Sequence, residues 1–389
     1  MKRICIVTGT RAEYGLLKPI IDKVYHAEAL ELQLVVTGMH LSSEFGLTYQ
    51  EIEKDGYPIK AKIEMLLSSD TSVGITKSMG IALISFADYF EVNRPDIVVI
   101  LGDRYEMLMA ASAAMIARIP IAHIHGGEKT EGAIDEAIRH SITKMSHIHF
   151  VTTEEYRNRV IQLGEQPETV YNVGALGVEN AKTIALLSKR ELEEALDFKF
   201  TDHTIMITFH PVTLETMTAE KQFRNILEIL DNHKELAVIF TKANADADGR
   251  IINQMIDEYV ALNSDRCKVY TSLGQVRYLS TLQFCTAVLG NSSSGIIEVP
   301  SFGIPTVNIG DRQKGRARSA SVIDCGNSLQ EIENALQLAL SREFGEGLVN
   351  VKNPYEKKDT SDTIVQVISD AVERGIDIKK KFYDVKSGD

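Results

Sequence analysis

The stretch Gly290-Asn-Ser-Ser-Ser-Gly295, with Glu298 soon after it and the run Gly310-Asp-Arg-Gln-Lys-Gly-Arg316 beyond, is the first candidate for chemistry. It follows the apolar segment Thr286–Leu289, which reads as a buried strand. It precedes Ile296–Val299, which reads as the first turn of a helix. A strand, a hydroxyl-rich turn and a helix N-terminus together cradle anions. Backbone N–H groups point outward, hydroxyls add donors, and the helix dipole favours negative charge. Arg312, Lys314, Arg316 and Arg318 bring cationic charge close by in sequence. The guest that suits such a cradle is a diphosphate, and therefore a nucleotide or a nucleotide-linked substrate.

Further reactive residues recur after apolar segments: Thr8-Gly-Thr-Arg-Ala-Glu-Tyr-Gly15, Gly102-Asp-Arg-Tyr-Glu106, His125-Gly-Gly-Glu-Lys-Thr130, Phe209-His-Pro211 and Lys242-Ala-Asn244. Arg11 at a helix start suits a phosphate or carboxylate, because its planar fork grips oxyanions at two points; its plain alternative is a surface ion pair. Asp103 is either a chemical group or a helix N-cap. Glu128 and Asp135 bring more carboxylates to the same strand ends, and paired carboxylates drive each other's pKa apart, which suits one acid and one base. Asp135/Arg139 and Glu136/His140 also have the spacing of ordinary pairs on a helix surface. His210, at a strand end, is a candidate general acid or phosphate contact. His123-x-His125 and His147-x-His149 alternate as strand residues do and so could place two imidazoles on one face. They lack a cysteine partner, and no metal is expected. There is no G-x-G-x-x-G fingerprint and no GK[ST] loop, which weakens a nicotinamide or ATPase reading.

The elements that must hold these residues follow from hydrophobic patterning. Continuous apolar runs at Ile4–Val7, Leu32–Thr37, Ile97–Leu101, Ile119–His125 and His149–Thr152 alternate with helical patterns. The plan repeats with Thr204–Thr208, Ala237–Thr241, Lys268–Tyr270, Ala287–Leu289 and Thr306–Ile309. Uninterrupted apolar strands between helices mean parallel sheets buried on both faces. The expectation is an α/β protein of two Rossmann-like, doubly wound domains, where ligands meet the carboxyl ends of the strands. The seam is expected near Val173–Lys182, giving domains of 1–175 and 176–360, with the terminal helix of 361–389 packing back on the first. Lys379–Lys381 reads as a solvated tail.

Composition agrees with an ordinary soluble globular protein. The 389 residues are 44% hydrophobic and 25% charged, with a net charge of −12. An acidic chain is a poor general binder of nucleic acid. Four cysteines without CxxC spacing read as reduced core residues. Lys2-Arg3 leads straight into the first strand with no signal peptide, and no run nears the roughly 20 apolar residues of a membrane span. A cytoplasmic protein is expected.

Taken in order, Val7-Thr-Gly-Thr-Arg-Ala-Glu-Tyr-Gly15, Leu101-Gly-Asp-Arg-Tyr-Glu106, His123-Ile-His-Gly-Gly-Glu-Lys-Thr130, Glu136–Ser146, Gly290–Gly295 and Ile309–Arg316 resemble the hydrolysing UDP-N-acetylglucosamine 2-epimerases. The resemblance spans about residues 3 to 355. The non-hydrolysing sister group typically carries GTRPE, HVEAGLR and DSGG where this chain has GTRAE, HIHGGEK and NSSSG.

That resemblance implies a GT-B-like fold with the active site in the interdomain cleft and UDP held mainly by the second domain. It assigns Ser292, Ser293, Gly295, Glu298 and Arg312 to the nucleotide, with Asn244 nearby and Tyr278 against the uracil. It assigns Arg11, Arg104 and His210 to the diphosphate, and Asp103, Glu128 and Asp135 to the sugar. It implies no cofactor, a homodimer or homotetramer, and release of UDP and N-acetylmannosamine through a 2-acetamidoglucal. Alternatives remain open. They are the same chemistry on UDP-2,4-diacetamido-2,4,6-trideoxyglucose in legionaminic acid synthesis, a GT-B glycosyltransferase, and a non-catalytic UDP-sugar sensor. Which of Asp103, Glu128, Asp135 and His210 is base and which is acid also stays open.

Overall fold

The computed structural model describes residues 1–67, 69, 71–130, 134–212, 218–243 and 249–385. The chain divides into two compact units. One comprises Met1–Glu128, Asp135–Glu179 and Tyr355–Asp389, the other Lys129–Ile134 and Asn180–Pro354.

The first unit is built on β1 (Lys2–Thr8), β2 (Leu30–Thr37), β3 (Ile59–Ile63), β4 (Ile97–Leu101), β5 (Ile121–Ile124), β6 (Ile148–Val151) and β7 (Val170–Asn172). Its sheet has the order β3-β2-β1-β4-β5-β6-β7, with every neighbouring pair parallel. Side chains alternate across a strand, so each strand feeds two cores. Ile4, Ile6, Val36 and Val99 pack with Leu17, Ile20 and Val24 of the helix Arg11–His26. Cys5, Val7, Val35 and Val98 pack on the other face with Phe86 and Phe90 of Ser72–Asn93 and with Ala110 and Ala114 of Tyr105–Ile116. Each fully buried aliphatic side chain contributes roughly 1.5–3 kcal/mol.

The second unit repeats the scheme with β8 (Thr204–Thr208), β9 (Ala237–Thr241), β10 (Cys267–Tyr270), β11 (Ala287–Gly290), β12 (Thr306–Ile309) and β13 (Val322–Cys325). The order is β10-β9-β8-β11-β12-β13, again all parallel. In both sheets the strand order reverses once, between β1 and β4 and between β8 and β11. At such a switch point the loops at the strand carboxyl ends diverge and leave room for a ligand.

Three strands, β3, β7 and β13, escape the apolar-run criterion. They lie at or beside sheet edges and are only partly buried, so their sequences are mixed. The helix Thr360–Arg374 sends Ile364, Ile368, Ala371 and Val372 into the core shared with Arg11–His26. The segment after it is no free tail. Lys380 Nζ donates to the carbonyls of Lys144 at 2.7 Å and Ser146 at 2.5 Å and meets Glu165 at 2.7 Å. The backbone of Tyr383 bonds Gly164, while Lys144 sits over the Phe382 ring. The expected solvated run is corrected at Lys380, whose ammonium finds a buried carboxylate that a periodicity count does not reveal. Among the described residues no helix is long and apolar enough to cross a membrane.

Candidate functional site

In the first unit the loop after β1 opens a helix earlier than the apolar pattern indicates. Thr10 caps the helix Arg11–His26, and Glu13 returns the bond in a capping box. The Glu13 carboxylate accepts from the N–H of Gly9 at 2.7 Å and of Thr10 at 3.2 Å. Burial and the nearby Glu106 carboxylate push Glu13 up to about 8, against the pull of Arg104 and the two backbone donors. Glu106 is itself buried and holds Arg104 Nε at 2.6 Å. A Cβ on Gly9 would lie 2.7 Å from Glu106 Oε1, so the loop needs glycine there. Neither Glu13 nor Glu106 was singled out for a role. Arg11 Nε pairs with Glu51 at 2.6 Å.

After β4 the residue Gly102 turns the chain with φ +78°, and its carbonyl meets His123 Nε2 at 2.7 Å. Burial drives His123 down to about 3, so the ring is neutral. With Nε2–H donating to Gly102, Nδ1 must accept from the Thr143 hydroxyl at 3.2 Å. Asp103 is not a helix cap, because the helix Tyr105–Ile116 begins from Arg104. The Asp103 carboxylate instead accepts from Arg139 Nη2. Arg139 Nη1 reaches the Glu128 carbonyl at 2.6 Å and Glu136 at 3.2 Å. The reading of Arg139 as a surface partner is corrected, since it is 1% exposed. The partner of His140 is Glu136, at 3.1 Å. Glu128 is buried and accepts from the Thr152 hydroxyl at 3.2 Å. Asp135 opens the helix Asp135–Met145 and is partly exposed. The Asp103 carboxylate and the Glu128 backbone carbonyl therefore meet one buried guanidinium.

The histidine pairs do not form strand-face ligand sets. β5 ends at Ile124, and His125 has φ +67°, which breaks the alternation. His149 Nε2–H donates to the Glu165 carboxylate at 3.0 Å. Among the described residues no group of three or more metal-binding side chains forms.

In the second unit the cradle forms around Asn291. Gly290 ends β11 at φ +140°, and a Cβ there would fall 1.9 Å from the Thr208 carbonyl oxygen. Asn291 is fully buried. Its amide clips the His210 backbone in both directions, accepting at 2.7 Å and donating at 2.8 Å. Its carbonyl accepts from Arg312 Nη1 at 3.1 Å and Gln313 Nε2 at 2.9 Å. The Asn291 side chain thus ties the end of β8 to the loop after β11, and its carbonyl ties that loop to the residues after β12. Gly295 lies so close to β12 that a Cβ would meet the Thr306 methyl at 2.7 Å. The Tyr278 hydroxyl bonds Ser294, and burial together with Glu298 pushes the Tyr278 pKa up.

The helix expected after the loop is a single turn. Only Ser294–Ile297 is α-helical, followed by a 3-10 turn at Val299–Phe302. Its N–H groups turn back onto the Ser292 and Ser293 carbonyls. One turn carries little macrodipole, so the Ser292 and Ser293 hydroxyls and the Arg312 guanidinium are the stronger anion donors. The basic cluster also thins: Arg318 pairs with Asp324 at 2.6 Å, Lys314 faces Asp311 at 3.9 Å, and Arg316 is buried. Asn244 lies outside the described residues.

Two parallel doubly wound units, each with its polar residues at the strand carboxyl ends, define the GT-B-like class. The family model described as UDP-N-acetylglucosamine 2-epimerase matches residues 22–369. The chain is 46% identical to the GDP/UDP-N,N'-diacetylbacillosamine 2-epimerase (hydrolyzing) of Campylobacter jejuni, covering 88% of each protein. It is 39% identical to the polysialic acid biosynthesis protein P7 of Escherichia coli, covering 99% of this chain and 98% of that one. A UDP-GlcNAc 2-epimerase from Neisseria meningitidis, solved bound to UDP-GlcNAc, superposes with a TM-score of 0.77 at 20% identity. That match covers 95% of this chain and 100% of the other. The chain belongs to the UDP-N-acetylglucosamine 2-epimerase family, among its hydrolysing members. It is an epimerase acting on a UDP-sugar.

Proposed function

We propose that this chain converts a UDP-linked 2-acetamido sugar and water into UDP and the free C2-epimer. The observation that carries the reading is one buried guanidinium at strand ends that holds the Asp103 carboxylate and the backbone carbonyl of Glu128. The Asn291 clip gathers Arg312, Ser292, Ser293 and His210 at the corresponding ends of the second sheet. In this reading Arg312, the loop serines, Arg104 and His210 bear the diphosphate, with Tyr278 and Glu298 toward the nucleoside. Asp103, Glu128 and Asp135 face the sugar.

The C2 hydrogen is not acidic in the resting sugar. It becomes removable as the C1–O bond to UDP breaks and C1 gains positive charge, and cationic donors stabilise the charge moving onto the departing UDP. A carboxylate takes the C2 proton and the C1–O electron pair leaves with UDP, which gives a 2-acetamidoglucal. Water then adds, hydroxyl to C1 and hydrogen to C2 from the opposite face.

We place the 2,4-diacetamido-2,4,6-trideoxy donor, which is UDP-N,N'-diacetylbacillosamine, first among substrates. The 46% identical relative bears that sugar in its name. UDP-N-acetylglucosamine, leading to N-acetylmannosamine for sialic acid, is the second reading and is favoured by the 39% identity to a polysialic acid biosynthesis protein. We further propose a cytoplasmic enzyme acting as a homodimer or homotetramer.

The test is incubation of the purified protein with each donor in deuterated water, followed by NMR. Release of UDP with a C2-deuterated epimer of one sugar identifies the donor. Transfer of an intact sugar to an acceptor, or binding without turnover of either donor, would refute the reading. Asp103→Asn should keep UDP affinity within about twofold while turnover falls by two orders of magnitude or more, on the scale of roughly 10²–10⁴-fold for general acid–base groups.

A further inference from the structure

We propose that Arg139 is a positioning residue that fixes Asp103 and Glu128 relative to one another and keeps Asp103 available as the proton acceptor. The proposal rests on the reading of both carboxylates as facing the sugar, and it gives Arg139 a role of its own in that site.

A guanidinium carries five N–H donors in a rigid fork and stays charged at any physiological pH. Burying one is costly unless its donors are met. Here the fork spans two different strand ends. Nη2 meets the Asp103 carboxylate after β4, and Nη1 meets the carbonyl of Glu128 after β5 at 2.6 Å. A lysine at this position would be a single point charge and could not meet both with planar geometry.

The same helix face reaches Asp103 from a second side. Thr143 lies one turn beyond Arg139 in the helix Asp135–Met145. Its hydroxyl holds His123, whose Nε2 holds the Gly102 carbonyl at 2.7 Å, directly before Asp103. The loop that carries Glu128 packs against the same two side chains, since a Cβ on Gly126 would stand 3.0 Å from Thr143 Oγ1 and 3.1 Å from His123 Nδ1. One helix face therefore sets the Asp103 backbone through His123 and its carboxylate through Arg139, together with the backbone of Glu128.

Other charged and titratable groups act on the same cluster. Arg104 follows Asp103, His123 lies on β5 with His125 just after it, Glu136 and His140 lie on the helix, and Arg159 binds the Gly127 carbonyl at 2.5 Å. His123 and His140 are both pushed down by burial. Arg139 bonds the Asp103 carboxylate directly.

The experiment uses the full-length protein with carboxyl-¹³C aspartate. Asp103 is assigned by its loss in Asp103→Asn and titrated by NMR in the wild type, Arg139→Gln and Arg139→Lys. Its midpoint should rise in Arg139→Gln, because the neighbouring positive charge is gone. Amide exchange across Gly126–Lys129 should accelerate in both variants. With the donor sugar, kcat of Arg139→Gln should fall about 100-fold, the scale of a misplaced reacting group. KM should stay within about twofold, and the acid limb of the kcat profile should move to higher pH. Arg139→Lys should restore the acid limb but not the full kcat.

If Arg139→Gln does not fold, Arg139→Lys decides: wild-type kcat and wild-type exchange there would overturn the bridging role. An unmoved Asp103 midpoint in folded Arg139→Gln would overturn the proposal whatever the activity. Failure of the wild type to process any UDP-sugar would instead overturn the functional reading. The titration and exchange would still decide the role of Arg139.

Discussion

Replacing Gly290 by alanine tests how closely the anion loop depends on the sheet beneath it. Gly290 is the last residue of β11, pairs with Thr208 of β8 at the point where the strand order reverses, and has φ +140°. The new Cβ would stand 1.9 Å from the Thr208 carbonyl oxygen and 2.8 Å from its carbon. Backbone cannot yield as a flexible side chain does, so the two strands must part by more than about 1 Å, given contact distances near 3.5 Å. The Asn291 N–H bond to Thr208, 3.2 Å long, then breaks. That loss is worth about 1 kcal/mol. Holding alanine in a region reserved for glycine adds roughly 1–3 kcal/mol.

The sum, about 2–4 kcal/mol, corresponds to a fall in Tm of roughly 4–16 °C for a unit of this size. Asn291 also carries the contacts to His210, Arg312 and Gln313, so UDP affinity should fall at least tenfold. Calorimetry gives the first quantity and isothermal titration with UDP the second. An alanine variant that melts within a degree of wild type and binds UDP equally well would refute the argument. The β8–β11 junction would then be more compliant than its packing indicates.

Other consequences follow from the same geometry. Arg312→Ala removes a charge-assisted donor that bridges the Asn291 carbonyl and the proposed diphosphate, and such bonds are worth about 1.5–3 kcal/mol. UDP titration should show affinity reduced by roughly 10- to 150-fold, and unchanged affinity would remove Arg312 from the site. Glu165 is buried and accepts from His149 at 3.0 Å, Lys144 at 2.5 Å and Lys380 at 2.7 Å. Burial pushes its carboxyl up, but these three partners outweigh burial and bring it to about 2. His149 is itself pushed down by burial, so we treat it as a neutral donor and assign the charge stabilisation to the two lysines. A carboxylate depressed in the folded state gives its full stabilisation above its ordinary value of 4.5 and loses it as pH falls toward 2. Urea unfolding of Glu165→Gln should show a deficit of about 2 kcal/mol at pH 7 that shrinks steadily below pH 4.5. A deficit independent of pH would show that shape, not charge, is what Glu165 supplies.

Much of the architecture is legible in the chain because the central strands are buried on both faces. β1, β4, β8 and β11 read as unbroken apolar runs, and each ends in polar residues that the fold keeps at the strand carboxyl ends. Edge strands such as β3 and β13 are half exposed, and their mixed sequences resemble loops. The positions of the residues proposed for anion binding and proton transfer are legible for the same local reason: Asn291, Ser292 and Ser293 follow a strand, as do Asp103 and Arg104.

Which partner each charged group takes is decided elsewhere. Arg139 looks like a surface helix residue because Asp135 and Glu136 lie at favourable spacing, yet it turns inward to Asp103, which is 36 positions away in the chain. Lys380 looks like part of a solvated run and finds Glu165. Arg11, for which an oxyanion contact and an ion pair are both open in the sequence, has Glu51 beside it. Local sequence determines hydrophobic period, caps and turns, since these depend on neighbours within a few residues. A buried charge must find its counter-charge through space, so its partner is set only when the parallel sheet brings distant strand ends side by side.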